Sequence, residues 1–332
     1  FQVPNEKYVS LSDGRQLAYT EQGDVNSDKI MIFFHGAFGV GDSSNDKKFY
    51  KEIGYHFIAP TLPGWGNSSP WPENQPILNY PNDIHQLLSS FKKNDNKNLR
   101  ITVAGGSYGT VFAQICFGTS TDIMPEVINV QSLIVCSGFS SFKCHKTYTT
   151  GMSWSNYFMV GMPAIYFPSI TKLMGSYIQK KIHNIEDAKE FMRRRLFDQM
   201  DDEEKAKLRK WEEERDKPSG FVIEMMSRNM CLSISKTMAG FNAIPHVLHS
   251  EWGFDPKTLP SSPKRRVLII ATRGDKMSHM EMSTYLVESY PNAEIQILNG
   301  GHLAAFFEFD EIIKNWLTNL ENKFNESTQI DG

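Results

Sequence analysis

The feature that most narrows the folds open to this chain is a series of short, unbroken apolar runs separated by helical patterns. The runs are Lys29 to His35, His56 to Pro60, Leu99 to Ala104, Ser132 to Cys136, Arg266 to Ala271 and Glu294 to Leu298. A strand covered on both faces has no polar side to show, so it reads as continuous apolar sequence rather than as an alternation. Helical periodicity lies between the runs, notably over Asn82 to Lys92, Ser107 to Phe117, Glu281 to Ser289 and Phe306 to Leu320. Strand alternating with helix predicts an α/β fold: a mostly parallel central sheet with helices on both faces. Ahead of it, Tyr8 to Leu11 and Arg15 to Thr20 flank Asp13-Gly14, a pair suited to the positive φ angles of a tight hairpin turn.

The alternation stops between about Lys143 and Ser250. That stretch carries no buried-strand run and is rich in helix formers. Tyr148 to Met174 is aromatic- and Met-rich, Glu186 to Lys217 is charged and amphipathic, and Met225 to Phe241 is apolar again. Ten of the fifteen methionines fall between Met152 and Met238, which suits either ordinary helix packing or an adaptable apolar surface. At 332 residues the chain is large for one compact unit, so an insertion is expected. The predicted division is a core over 1–142, a helical cap or lid over 143–250, and the rest of the core over 251–332.

Several function classes fall away on composition. A net charge of −3 gives no basic footprint for nucleic acid, and the runs Arg193-Arg194-Arg195 and Lys264-Arg265-Arg266 read as solvated charge. The four cysteines, Cys116, Cys136, Cys144 and Cys231, lack metal-site spacing; Cys116 and Cys136 read as buried, and Cys144 could pair with Cys231. No stretch approaches the roughly 20 apolar residues of a transmembrane helix; the longest, Tyr157 to Phe167, is interrupted by Gly161 and Pro163. The chain opens on Phe1 rather than Met, consistent with a removed leader or a trimmed start, and sequons stand at Asn67 and Asn325. A soluble protein, cytoplasmic rather than secreted, is the expectation; oligomeric state is left open.

The chemistry concentrates in Gly105-Gly106-Ser107-Tyr108-Gly109, which follows one apolar run and opens a helix. A nucleophile held in such a strand–turn–helix seat needs small neighbours, here Gly105 and Gly109, because the turn brings strand and helix together. A serine hydroxyl also needs a base. His302 is the candidate, following the last run through Asn299-Gly300-Gly301. Asp275, in the loop after Arg266 to Ala271, is the acid that would fix the imidazole's tautomer. The oxyanion donors are expected to be the N–H groups of Tyr108 and of Ala37, which follows His35-Gly36. His35 and Gly36 are read as shaping that loop. This chemistry calls for no metal and no organic cofactor.

Together these motifs resemble the α/β-hydrolase superfamily, in the esterase-like branch with a helical cap. The likeness covers His35-Gly36, Leu62-Pro63-Gly64-Trp65-Gly66-Asn67-Ser68, the Ser107 turn, Asp275 and Gly300-Gly301-His302. Thr61 stands where many relatives carry an acid. The resemblance implies a serine hydrolase, with Ser107, His302 and Asp275 as its triad, acting on an ester or lactone of a moderately apolar small molecule. Two alternatives stay open: an aminopeptidase similar to proline iminopeptidases, which needs cap carboxylates for a substrate amine, and a non-catalytic small-molecule receptor on the same fold.

Overall fold

The computed structural model describes residues 3–44, 48–91 and 99–330. The chain's opening at Phe1 and the end of the predicted helix at Lys92 lie outside them. Eight strands form one sheet: β1 (Lys7–Ser10), β2 (Gln16–Gly23), β3 (Lys29–Phe34), β4 (His56–Pro60), β5 (Arg100–Gly106), β6 (Val130–Cys136), β7 (Arg266–Thr272) and β8 (Ala293–Leu298). Their order is β1-β2-β4-β3-β5-β6-β7-β8, antiparallel for β1–β2 and β2–β4 and parallel from β4 onward. The hairpin forms where Asp13-Gly14 predicts it, with Gly14 at φ 84° and Leu11 N–H donating to Arg15 O.

Helices α1 (Lys48–Glu52), α2 (Pro81–Ser90), α3 (Gly109–Gly118), α11 (Met280–Ser289) and α12 (Ala304–Ile330) pack on the sheet and cover both its faces. Helices α4 (Trp154–Val160), α5 (Met162–Tyr166), α6 (Pro168–Lys181), α7 (Ile185–Arg195), α8 (Asp202–Glu213), α9 (Phe221–Ile234) and α10 (Ala239–Leu248) pack chiefly on one another. Successive strand residues serve opposite cores. Ile30, Ile32, Ile101, Val103, Leu133 and Val135 join α2 and α3 on one face. Met31, Ala104, Ile134, Leu268 and Ile270 meet Phe309, Ile313 and Leu317 of α12 on the other. Because side chains alternate with a period of two and both sides are covered, β3 to β7 carry no exposed residue. By contrast β8, at the sheet edge, departs from the expected unbroken run with Glu294 and Gln296 exposed.

Everything from α4 to α10 lies between β6 and β7 in the chain. Met192, Met200, Met225, Met230 and Met238 are buried there, and Met152, Met159, Met174 and Met226 pack partly buried against the same core, so most of the methionine concentration is packing material. Arg193 and Arg194 pair with Glu190 and Asp198 at the surface, as the solvated reading expects. Arg265 departs from it: its guanidinium lies 4.0 Å from the centre of the Phe117 ring and donates to Phe117 O. All four cysteines are free. No helix among the described residues is long and apolar enough to cross a bilayer.

The strand order places the site. From β3 the chain adds β4 on one side and then crosses to add β5 on the other. At such a reversal the loops leaving the two carboxyl ends diverge and leave a crevice, the usual ligand position in open α/β sheets. The loop after β3 begins with His35-Gly36, and the loop after β5 begins with Ser107.

Candidate active site

Ser107 occupies the turn between β5 and α3 at φ 50°, a conformation that L side chains adopt at a cost. Its N–H donates to Cys136 O at 2.9 Å, and its carbonyl accepts from both the Thr110 N–H (3.0 Å) and the Thr110 hydroxyl (2.5 Å). The strain is thus held by three bonds. A Cβ on Gly109 would sit 2.1 Å from Phe34 O, and one on Gly105 would sit 2.6 Å from Gly109 O. Both glycines are required by backbone approaching backbone, which cannot yield as a side-chain tip can.

The loop after β3 lies against this turn. A Cβ on Gly36 would stand 3.3 Å from Ser107 Cβ and 3.9 Å from Ser107 Oγ. Gly36 to Gly39 closes as a turn through Gly39 N–H to Gly36 O, with Phe38 at φ 60°. His35 fixes the loop: Leu62 N–H donates to Nε2 at 2.9 Å, so Nδ1 carries the proton and donates to Gly36 O at 2.7 Å. Burial drives its pKa down to about 4, which keeps it in that neutral tautomer. Both ring nitrogens of His35 are thereby engaged by the backbone of the loops after β3 and β4. Thr61, in place of an acid, accepts from Gly41 N–H through its hydroxyl and bonds Ser68 through its carbonyl, so a neutral side chain serves that corner. The N–H groups of Ala37 and Tyr108 have no backbone acceptor among the described residues.

Asp275 and His302 meet across the ends of β7 and β8. Arg273 N–H donates to Leu298 O and Gly274 N–H to Gly300 O, which sews the two loops together. His302 Nδ1 then lies 2.7 Å from Asp275 Oδ2. The Asp275 side chain is inaccessible and that of His302 is 14% exposed. Burial alone would raise the Asp275 carboxyl, but the facing imidazole, the Met277 N–H and the Ser278 hydroxyl hold it below its ordinary value. Burial likewise works against charge on His302, and the Asp275 carboxylate more than offsets it, leaving the imidazole above its ordinary value. No hydrogen bond joins Ser107 Oγ to His302 in this structure. The end of β6 nevertheless anchors both, because Cys136 O holds the Ser107 N–H while the Ser137 hydroxyl, at 3.4 Å, reaches His302 O.

Three supporting residues escaped the sequence reading. Ser278 donates its hydroxyl to Asp275 Oδ2 at 2.8 Å, and its spacing in Asp-Lys-Met-Ser could have signalled a side-chain turn. Ser137, at φ 46°, had no signal. Glu204 is the third. It closes the capping box of α8 with Asp201, and its Oε1 also accepts from the Gly301 N–H at 2.7 Å, one residue before His302. Glu204 and Glu212 are the buried carboxylates of the stretch between β6 and β7, and Glu212 is likewise engaged, by the N–H groups of Gly220 and Val222. A separate groove of about 610 Å³, lined by Arg15, Trp71 and Asp83 among others, adjoins the hairpin and includes none of the candidate residues.

A mostly parallel sheet with a strained serine after β5 and an Asp–His pair after β7 and β8 defines the class of protein. Residues 29–309 match the family described as alpha/beta hydrolase fold, and the chain belongs to that family. No curated protein sequence matches it significantly. Among solved structures it is similar to an esterase from Exiguobacterium antarcticum, with 16% identity and a TM-score of 0.56 over 95% of this chain and 99% of that one. It is similar also to MGS-M2, an alpha/beta hydrolase from a Medee basin deep-sea metagenome library (13%, 0.60, over 95% and 97%). Est816, an N-acyl homoserine lactone degrading enzyme, matches at 14% identity and 0.57 over 93% and 99%. At such identities these likenesses speak for the fold alone.

Proposed function

We propose that this hydrolase is a serine enzyme that cleaves an ester or lactone of a moderately apolar small molecule through an acyl-enzyme. Ser107 Oγ attacks the carbonyl while His302 takes its proton. The Ala37 and Tyr108 N–H groups receive the oxyanion, and His302 returns the proton to the leaving alcohol. Asp275 keeps the His302 proton on Nδ1, so that Nε2 is the basic nitrogen. Water then attacks the acyl-enzyme by the same route.

The observation that carries the reading is the closed Asp275–His302 bond, at the same sheet edge as a serine held at positive φ. The esterase and lactonase among the similar structures agree with the substrate class. The aminopeptidase alternative wants a free cap carboxylate for an amine, and both buried ones are already bonded to backbone N–H groups. The test is labelling with a fluorophosphonate probe, followed by a panel of p-nitrophenyl esters, lactones and proline β-naphthylamide. Stoichiometric adduct on Ser107 with ester or lactone turnover is the expected result. Turnover of the naphthylamide alone, or no adduct at all, would reject the assignment.

Glu204 acts as a positioning residue in this scheme, holding the backbone from which His302 projects. Glu204→Ala leaves the Gly301 N–H without its acceptor and loosens that loop. A misplacement of about 1 Å is enough to slow kcat by roughly 10–100-fold. Glu204→Gln keeps an acceptor oxygen and should restore most of the rate. Steady-state kinetics on the best ester will decide, and an unchanged kcat in Glu204→Ala would remove Glu204 from the scheme.

A further inference from the structure

The helices α4, α5 and α6 all rest on α10 and carry apolar side chains on both sides. Their inner side is ordinary packing, with Ala164, Gly175 and Ile178 buried. Their outer side is also apolar. In α4, Trp154 is 78% exposed and Phe158 lies one turn further on. Tyr166 and Phe167 stand out where α5 ends. In α6, Ile170, Leu173 and Tyr177 follow at three- and four-residue spacing, which puts them on one stripe, and Leu173 is 74% exposed. Asn156 of α4 donates to Lys276 O at 2.6 Å, which brings exposed Met277 to the rim of the same patch. Exposed large apolar side chains concentrated on three adjoining helices mark a candidate interaction surface.

Charge says what covers it. From Val127 to Ile185 the sequence has no Asp or Glu and five lysines, Lys143, Lys146, Lys172, Lys180 and Lys181, within a chain whose net charge is −3. Lys143 is paired with Glu251. Lys172, Lys180 and Lys181 are exposed and have no carboxylate partner among the described residues, and Lys181 Nζ sits 5.8 Å from the Tyr177 ring. Lys180 and Lys181 continue the Leu173–Tyr177 stripe at the end of α6. A second copy would bring lysine against lysine, so self-association on this face is opposed by its own charge. Aromatic and aliphatic side chains rimmed by unpaired lysines match a helix that lies in the headgroup region of an anionic bilayer.

We propose that the outer face of α4–α6, with Met277 at its edge, docks on a lipid surface carrying anionic headgroups. Met277 is two residues from Asp275 and donates its N–H to that carboxylate, so docking turns the rim of the candidate site toward the lipid. The binding claim does not depend on catalysis and is read without it.

The full chain would be co-sedimented with vesicles of phosphatidylcholine alone and with vesicles containing about one-third phosphatidylglycerol, at low and high salt. Strong binding to the phosphatidylglycerol vesicles, weakened by salt, is the expected result. Lys172→Gln, Lys180→Gln and Lys181→Gln together should weaken it by roughly 100-fold. Leu173→Ser with Tyr177→Ser should weaken it at least about tenfold through lost apolar burial. All five positions are exposed, and circular dichroism melts would confirm that the variants keep the fold. The proposal is overturned by absence of vesicle binding, by binding that the variants leave unchanged, or by light scattering that shows a dimer dissolved by the Leu173/Tyr177 variant.

Discussion

Ser107→Ala should abolish turnover of every ester or lactone that the wild-type chain accepts, lowering kcat by roughly 10⁵-fold, or about 7 kcal/mol of barrier. The loss is that large because a nucleophile and its base act as a unit. Without Oγ, the Asp275–His302 pair has nothing to deprotonate, and the remaining rate over water comes only from substrate positioning and oxyanion donors. Stability should barely change, since alanine keeps the β-carbon that φ 50° strains. Ser107→Gly separates the two effects. Glycine occupies that region freely, so this variant should be equally inactive yet more stable by about 1 kcal/mol in urea denaturation. Activity surviving in both variants would mean that another residue is the nucleophile. A Ser107→Gly variant less stable than wild type would mean that the turn is not strained.

How far the sequence could be read follows from which forces are local. The parallel strands β3 to β7 were legible because burial on both faces imposes nearly unbroken apolar runs, and the observed bounds differ from the expected ones by at most two residues. The edge strand β8, with Glu294 and Gln296 exposed, was legible by position rather than by double burial. The hairpin was legible because Asp13-Gly14 selects its own turn. The glycines flanking Ser107 pointed to a close approach, and Phe34 O is the atom approached. Helix ends were read less well: α3 starts at Gly109 rather than Ser107, because the strained turn itself occupies Ser107 and Tyr108. Glu204 shows the other limit. Its capping box with Asp201 is a four-residue pattern that the sequence displays, but its bond to Gly301 spans 97 positions and depends on how α8 lies against the last strand loop. Arg265 illustrates the same point, since Phe117, over which it sits, belongs to α3 and is 148 positions away in the chain.

Asp275→Asn gives the second large effect and the most informative pH profile. The amide's oxygen can still accept from the Met277 and Ser278 N–H groups, so the loop should keep its shape. Its NH₂, turned toward His302, faces Nδ1 with a donor and forces the imidazole proton onto Nε2, the nitrogen that must act as base. A drop of about 10⁴-fold in kcat is expected from the wrong tautomer and the lost carboxylate. The acid limb of the profile carries the sign. His302 must be neutral to work, and Asp275 raises its pKa, so wild-type kcat/KM should climb with pH through a midpoint above the ordinary imidazole value. Removing the carboxylate leaves burial, which disfavours the imidazolium, and the residual activity should titrate at a lower pH than wild type. The same pair feeds stability in two windows. The contribution of His302 is present below its unfolded pKa and fades as pH rises through its raised folded value. That of Asp275, whose folded pKa is depressed, is present above its unfolded pKa and is lost as pH falls through the folded one. Asp275→Asn should therefore flatten both slopes in a series of thermal melts across pH. An acid limb that stays in place in Asp275→Asn would show that some other group sets the basicity of His302.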